Sequence, residues 1–132
     1  MAMTLRCVIV DDSPAFVAAA RSLLERQGMT VLGTAATGAD AVRMAAELRP
    51  DVMLVDIDLG PESGFDLARR LAGPETPPVI LISTYAEEDY ADLIAGSAAV
   101  GFIPKATLSA AAINRMLDGA AHPPAASEPP GT

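Results

Sequence analysis

Short, uninterrupted apolar runs alternate with longer amphipathic stretches along most of this chain. Apolar and polar residues do not alternate within the runs, which predicts strands that are buried on both faces. The second run, residues 29–35, has a weaker apolar signal and is predicted as a less buried strand. The other four predicted strands cover residues 7–10, 52–55, 79–82 and 100–104.

A predicted helix follows each predicted strand. The first begins after Ser13-Pro14, an N-cap residue and a proline suited to the first helical position, and Gly28 suits its end. We expect Asp118-Gly119 to end the last helix. The five predicted helices cover residues 15–27, 38–48, 65–71, 87–95 and 108–117. Five βα units predict an α/β fold with a doubly wound, five-stranded parallel sheet.

Pro104 restricts the order of the strands, because proline is tolerated at the edge of a sheet and not at its centre. The fifth strand should therefore be one edge. The second strand, which ends in no reactive group, should be the other edge. A site at the carboxyl ends of the strands would then be built mainly from strands one, three and four, with Lys105 reaching in from the side.

Composition excludes several classes of function. The chain has 132 residues, which predicts one domain, and a net charge of −8 that disfavours binding to nucleic acid or to an anionic membrane. No apolar stretch reaches the length of about 18–20 residues that spans a membrane, and we expect no signal peptide. Cys7 is the only cysteine, which fits a buried structural residue in a reducing compartment. His122, the only histidine, lies in a Pro- and Ala-rich segment that we expect to be disordered.

Reactive side chains follow four of the predicted strands. Parallel strands end on one edge of a sheet, so these side chains should converge on one patch. Clustered carboxylates repel one another unless a cation offsets them, and Mg²⁺ prefers such oxygen ligands. A carboxylate can also attack phosphorus, with a hydroxyl and an ammonium neutralising the phosphoryl oxygens. The residues concerned are Asp11, Asp12, Asp56, Ser83, Thr84 and Lys105, the only lysine.

These residues stand in a pattern that resembles the receiver domain of bacterial response regulators in two-component signalling. The similar segments occur in the order and spacing of that family and together extend over roughly residues 5 to 118. They are Val8-Ile9-Val10-Asp11-Asp12-Ser13-Pro14, Leu54-Val55-Asp56-Ile57-Asp58-Leu59, Ser63-Gly64-Phe65, Ile82-Ser83-Thr84 and Gly101-Phe102-Ile103-Pro104-Lys105.

The resemblance implies a role for each site residue. Asp56 would be the phosphoacceptor, with Ser83 hydrogen-bonded to the phosphoryl group and Lys105 paired with it. Phe102 would occupy the aromatic position that changes rotamer as Ser83 moves inward. The ligands of Mg²⁺ would be Asp12 directly, Asp11 directly or through water, a carboxylate oxygen of Asp56 and the backbone carbonyl of Asp58.

The resemblance also implies the architecture and partners. The fold would be a flavodoxin-like (βα)5 receiver with strand order 2-1-3-4-5 over residues 5–119. Residues 120–132 would be a disordered tail or the start of a linker. A sensor histidine kinase would supply the phosphoryl group in the cytoplasm. Phosphorylation would switch the conformation of the helix 4–strand 5–helix 5 surface, and a homodimer could form through this surface. The chain would catalyse only its own phosphorylation and dephosphorylation, with transcription regulation as one candidate output.

Four positions depart from the family pattern. Thr84 is larger than the usual alanine, Ala106 replaces the usual proline as in regulators with a helix-turn-helix output, and proline occurs at Pro61 instead of at Gly60. Asp58 adds a fourth carboxylate beside the site. It could weaken phosphorylation, strengthen Mg²⁺ binding, alter phosphate lifetime or point into solvent.

Two other functions stay open on the sequence. The first is an interaction module of receiver type that is never phosphorylated and acts by dimerisation. The second is a phosphatase of the haloacid dehalogenase type, because Asp56-Ile57-Asp58 has the D-x-D form of its nucleophile motif. That motif usually follows the first strand, whereas here it follows the third, and the chain is short for a cap over the site.

Overall fold

The computed structural model describes residues 4–85 and 87–121. Its sheet consists of five parallel strands in the order β2-β1-β3-β4-β5, so the predicted α/β fold and strand order are confirmed. As Pro104 predicts, β5 is an edge strand, and β2 is the other edge. The strands are β1 (Arg6–Val10), β2 (Thr30–Ala35), β3 (Val52–Asp56), β4 (Val79–Ser83) and β5 (Gly101–Pro104).

Within the described residues, five α-helices connect and follow these strands. They are α1 (Pro14–Arg26), α2 (Gly38–Leu48), α3 (Gly64–Arg70), α4 (Ala91–Ala95) and α5 (Ala110–Ala121). The predicted start of α1 is confirmed, since the Phe16 N–H donates to Oγ of Ser13 at 3.4 Å. Beyond it, Gly28 adopts φ +96°, a conformation that favours glycine where the chain leaves a helix.

The helices cover both faces of the sheet. On one face, Val8, Met53 and Leu81 pack in an apolar cluster with residues of α2, α3 and α4. On the other face, Ile9 and Leu54 pack with residues of α1 and α5. Because successive side chains of a strand point to opposite faces, strands covered on both sides are apolar throughout, as the uninterrupted runs predict.

Several predicted boundaries were wrong. The helix predicted at residues 87–95 begins with a 3₁₀ turn, Glu87–Tyr90, before α4. The helix predicted at residues 108–117 begins at Ala110, because Oγ of Ser109 accepts a hydrogen bond from the Ala112 N–H at 3.0 Å. It also continues past Gly119 to Ala121. The predicted disorder begins at residue 120, whereas α5 includes residues 120 and 121. The rest of that segment, residues 122–132 with His122, lies outside the described residues.

Residues 57–63, which lie between the predicted third strand and third helix, contain a short antiparallel ladder. Asp58 pairs with Ser63 and Leu59 pairs with Glu62, so the chain folds back on itself between β3 and α3. Leu59 is buried and anchors this loop in the core. In the part of the chain that the structure describes, no helix combines the length and apolarity needed to cross a bilayer.

Candidate functional site

The register of the central strands brings three aspartates together. Val10 pairs with Val55 across β1 and β3, so Asp11 and Asp56, the next residues, end their strands side by side. One carboxylate oxygen from each of Asp11, Asp12 and Asp56 lies within 4.8 Å of the other two. Asp11 and Asp56 are buried, whereas Asp12 is exposed at the rim. The predicted carboxylate cluster therefore exists.

Lys105 enters this cluster from the edge strand, as the sequence predicts. It follows β5, and its Nζ lies 2.7 Å from Oδ2 of Asp11 and 3.3 Å from Oδ2 of Asp56. The same ammonium lies 4.2 Å from the centroid of the Phe16 ring, within cation–π distance. Phe16 was not predicted as a site residue. Its place in the first turn of α1 locates it near the carboxyl end of β1, but nothing in the sequence shows that its ring faces Lys105.

Burial and charge shift the acidity of the central groups. Burial, helped by the negative charge of Asp11, raises the pKa of Asp56 to about 6, although the Asp58 N–H and Lys105 act in the opposite direction. Burial acts to lower the pKa of Lys105, but its close contacts with the negative carboxylates of Asp11 and Asp56 outweigh this effect and raise it. The lysine is therefore an ammonium at neutral pH, whereas the ionised form of Asp56 is costly.

Backbone N–H groups hold one oxygen of each buried carboxylate. Oδ1 of Asp11 accepts from the Ser13 N–H at 2.8 Å, and Oδ1 of Asp56 accepts from the Asp58 N–H at 3.2 Å. Among the described residues, no donor makes an aligned hydrogen bond to the buried Oδ2 of Asp11, even though the lysine Nζ is close. A buried carboxylate oxygen without an aligned donor, in a set of three carboxylates, fits a hard divalent cation such as Mg²⁺.

Two glycines allow the loop after β3 to close on this site. A Cβ on Gly64 would lie 2.2 Å from the backbone oxygen of Asp56, and the Gly64 N–H donates to the Ile57 carbonyl at 2.7 Å. Gly60 has φ +63°, and a Cβ there would lie 3.2 Å from Oδ2 of Asp12. The loop backbone thus packs directly against two of the three aspartates.

The other predicted site residues lie near the same edge of the sheet. Ser83 is buried at the end of β4, and its Oγ accepts from the Tyr85 N–H at 3.1 Å. The side chains of Thr84 and Asp58 are exposed. Phe102 is buried in the apolar cluster that includes Leu81, its partner across β4 and β5. The structure therefore brings Asp11, Asp12, Asp56 and Lys105 into one cluster, with Ser83 at its border and Phe102 in the core.

Comparison with known proteins identifies the domain. Residues 7–117 match the family model described as "Response regulator receiver domain". The chain is 39% identical over 108 residues to a protein-glutamate methylesterase/protein-glutamine glutaminase of Alkalilimnicola ehrlichii, covering 78% of this chain and 27% of that protein. It is 44% identical over 81 residues to the transcriptional regulatory protein KdpE of Mycobacterium tuberculosis, covering 61% of this chain and 35% of that protein.

A solved structure shares the fold. The two-component response regulator of the LuxR family from Aurantimonas superposes with a TM-score of 0.79 at 26% identity, covering 89% of this chain and 87% of that chain. The chain spans about a quarter to a third of the two curated relatives, so the match is to their receiver segments. The family match over most of the chain confirms the resemblance, and the chain belongs to the response regulator receiver domain family.

Proposed function

We propose that this receiver domain accepts a phosphoryl group on Asp56 from a sensor histidine kinase. The observation that carries the proposal is the position of Lys105, whose Nζ lies within 3.3 Å of carboxylate oxygens of both Asp56 and Asp11. An ammonium held at a buried carboxylate is placed to neutralise charge on an entering phosphoryl group. Receiver domains as a family interact with histidine kinases and generally bind Mg²⁺.

In the proposed reaction, a carboxylate oxygen of Asp56 attacks the phosphorus of a phosphohistidine. A P–O bond to Asp56 forms as the P–N bond breaks, and the histidine nitrogen keeps the electron pair and takes up a proton. Asp11, Asp12, Asp56 and the Asp58 carbonyl would hold Mg²⁺, which supplies charge neutralisation when it is bound. Lys105 would pair with the phosphoryl oxygens.

The output would be a shift between two conformations of the surface formed by α4, β5 and α5. Oγ of Ser83 accepts from the Tyr85 N–H, so a move of Ser83 toward a phosphoryl group on Asp56 would break or strain this contact. Phe102 would change its packing in the same step. The phosphoryl group would shift the equilibrium toward the conformation in which it makes the better contacts. This surface would also be the route to a homodimer.

We place the domain in the cytoplasm, as a regulator whose only chemistry is its own phosphorylation and dephosphorylation. The buried, single Cys7, whose pKa burial raises to about 12, supports a structural thiol in a reducing compartment. The esterase activity of one relative and the transcriptional role of the other are properties of proteins three to four times longer than the matched segment.

Intact mass spectrometry tests the proposal. The protein is incubated with a small acyl phosphate, with Mg²⁺ or with EDTA, as wild type and as Asp56→Asn. We expect the wild type to gain one phosphoryl group only with Mg²⁺ and the variant to gain none. A gain of equal size in the variant would show that another residue is modified, and no gain in the wild type would favour an interaction module that is not phosphorylated.

A further inference from the structure

Glu62 connects the loop after β3 to a helix that carries none of the proposed site residues. Its two carboxylate oxygens accept from one donor, the Gly38 N–H at the start of α2, at 3.1 and 3.2 Å. The negative charge at this position also suits the positive end of the helix dipole. The contact joins residues 24 positions apart, so it fixes the loop to the frame of the domain and not to its own neighbours.

Gly38 is part of the same contact. A Cβ at Gly38 would lie 2.3 Å from Oε1 of Glu62, so any other residue there would displace the carboxylate. The helix end does not depend on Glu62 alone, because Oγ1 of Thr37 caps it by accepting from the Asp40 N–H at 3.2 Å. The contact of Glu62 therefore contributes more to the position of the loop than to the capping of α2.

The loop that Glu62 holds is the one that faces the aspartates. Glu62 pairs with Leu59 in the short ladder, and Asp58 and Gly60 flank Leu59 on either side. The Asp58 N–H donates to Asp56, and Gly60 packs against Oδ2 of Asp12. Glu62 thus lies two residues after Gly60 and four after Asp58, and it is paired with Leu59, which stands between them.

We propose that Glu62 is a positioning residue, which anchors the loop to α2 so that the Asp58 backbone and Asp12 are held in place for the divalent cation. The inference rests on the proposed function and assigns to it a residue outside the family pattern described above. It adds no ligand to the site. Its consequence is that the affinity for Mg²⁺ depends on a contact at the start of a helix that carries no ligand.

The test compares two variants at the same end of α2. Glu62→Ala removes the anchor, whereas Thr37→Ala removes the helix cap and leaves the loop contact intact. Titration with Mg²⁺ alone, followed by calorimetry, should show a Kd about tenfold weaker for Glu62→Ala, the size of effect found when groups supporting metal ligands are removed. Thr37→Ala should bind as the wild type does, even though its thermal melting temperature falls. Glu62→Gln, which keeps an oxygen acceptor, should show an intermediate loss.

Gly38→Ala provides an independent test from the other side of the contact. It should weaken Mg²⁺ binding as Glu62→Ala does, and the double variant should bind no more weakly than either single one, because all three lack the same interaction. Equal Kd values for the wild type and Glu62→Ala would overturn this inference and leave the proposed metal site standing. A wild type that does not bind Mg²⁺ would overturn both, and additive losses would show that Gly38 and Glu62 act separately.

Discussion

Nζ of Lys105 lies closer to Oδ2 of Asp11, at 2.7 Å, than to Oδ2 of Asp56, at 3.3 Å. The lysine contacts both carboxylates, but it lies closer to Asp11 than to the proposed phosphoacceptor. Its ammonium and a divalent cation would compete for the negative charge of the same buried carboxylate. Binding of the cation to Asp11 should therefore favour movement of the lysine ammonium away from Asp11 and toward Asp56.

Lys105→Gln tests this coupling. Removing the competing positive charge should tighten Mg²⁺ binding about threefold to tenfold, which is the effect of roughly 1 kcal/mol of electrostatic interaction. Calorimetric titration with Mg²⁺ measures the change. Arg43→Gln is a suitable control, because this exposed arginine pairs only with Asp40 and Glu47 among the described residues. Unchanged or weaker binding by Lys105→Gln would show that the lysine does not compete with the metal.

Asp56 should make the free protein less stable as the pH rises. Burial raises its pKa from the ordinary 3.8 to about 6, so the folded protein holds this proton more tightly than the unfolded chain does. Stability from this group is therefore greatest below about pH 4 and falls as the pH rises through about 6. Asp56→Asn cannot ionise, and in EDTA we expect it to be more stable than the wild type by ~1–2 kcal/mol at about pH 7, after allowance for solvent screening.

Urea unfolding at two pH values measures this difference. The stabilisation by Asp56→Asn should be nearly lost at about pH 3, below both pKa values, where the wild-type carboxyl is largely protonated in both states. Asp118→Asn, which changes an exposed carboxylate, controls for the loss of one negative charge. If Asp56→Asn were less stable than the wild type at neutral pH, the ionised carboxylate would stabilise the fold, and the pKa of Asp56 would not be raised.

Phe16 should affect the reaction through Lys105. A cation–π contact of this kind contributes about 0.5–1 kcal/mol, so its loss in Phe16→Leu should slow phosphorylation by a small acyl phosphate about twofold to fivefold. Phe16→Tyr keeps the ring and should react at the wild-type rate. Rates are measured by intact mass over time, with thermal melting to confirm that both variants fold. Equal rates for leucine and phenylalanine at this position would exclude a role for the ring.

The fold could be predicted from the sequence where local patterns agree with the tertiary structure. Five apolar runs predict five strands, and Pro104 places β5 at the edge. The boundaries of α5 were wrong for identifiable reasons. Ser109 is an N-cap whose signal was overlooked, and Gly119 costs only about 1 kcal/mol inside a helix that the rest of the sequence supports. The 3₁₀ turn before α4 includes Tyr90, whose ring centroid lies 6.1 Å from that of Phe65. Phe65 is 25 positions away in the chain, so this contact has no signal in the local pattern.

The site could be predicted as a set of residues but not as a geometry. Asp11, Asp56 and Lys105 stand at the carboxyl ends of strands, and the parallel sheet brings these ends together. Glu62 and Phe16 contact residues that are 24 and 89 positions away in the chain, and no spacing rule encodes such pairs. Side-chain packing also determines that Lys105 lies closer to Asp11 than to Asp56, and this difference has no signal in the sequence.

Substitution of Asp58 tests whether the domain acts as a receiver or as a phosphatase of the D-x-D type. Its side chain is exposed, whereas its backbone N–H donates to Asp56, so the side-chain charge is screened by solvent. We expect Asp58→Asn to be phosphorylated at a rate within about twofold of the wild type, and neither protein to turn over a generic phosphate ester. Ester turnover by the wild type that is lost in Asp58→Asn would favour a phosphatase. Asp11→Asn, which changes a buried carboxylate of the site, should lose phosphorylation.

The most direct test of the central claim is to locate the phosphoryl group in the wild-type chain. After incubation with a small acyl phosphate and Mg²⁺, borohydride reduces an aspartyl phosphate to homoserine, and tandem mass spectrometry of the peptides shows at which position this occurs. We predict homoserine at position 56 alone, and none when EDTA replaces Mg²⁺. Homoserine at position 11, 12 or 58, or its absence from all positions in a protein that is folded and binds Mg²⁺, would contradict Asp56 as the phosphoacceptor.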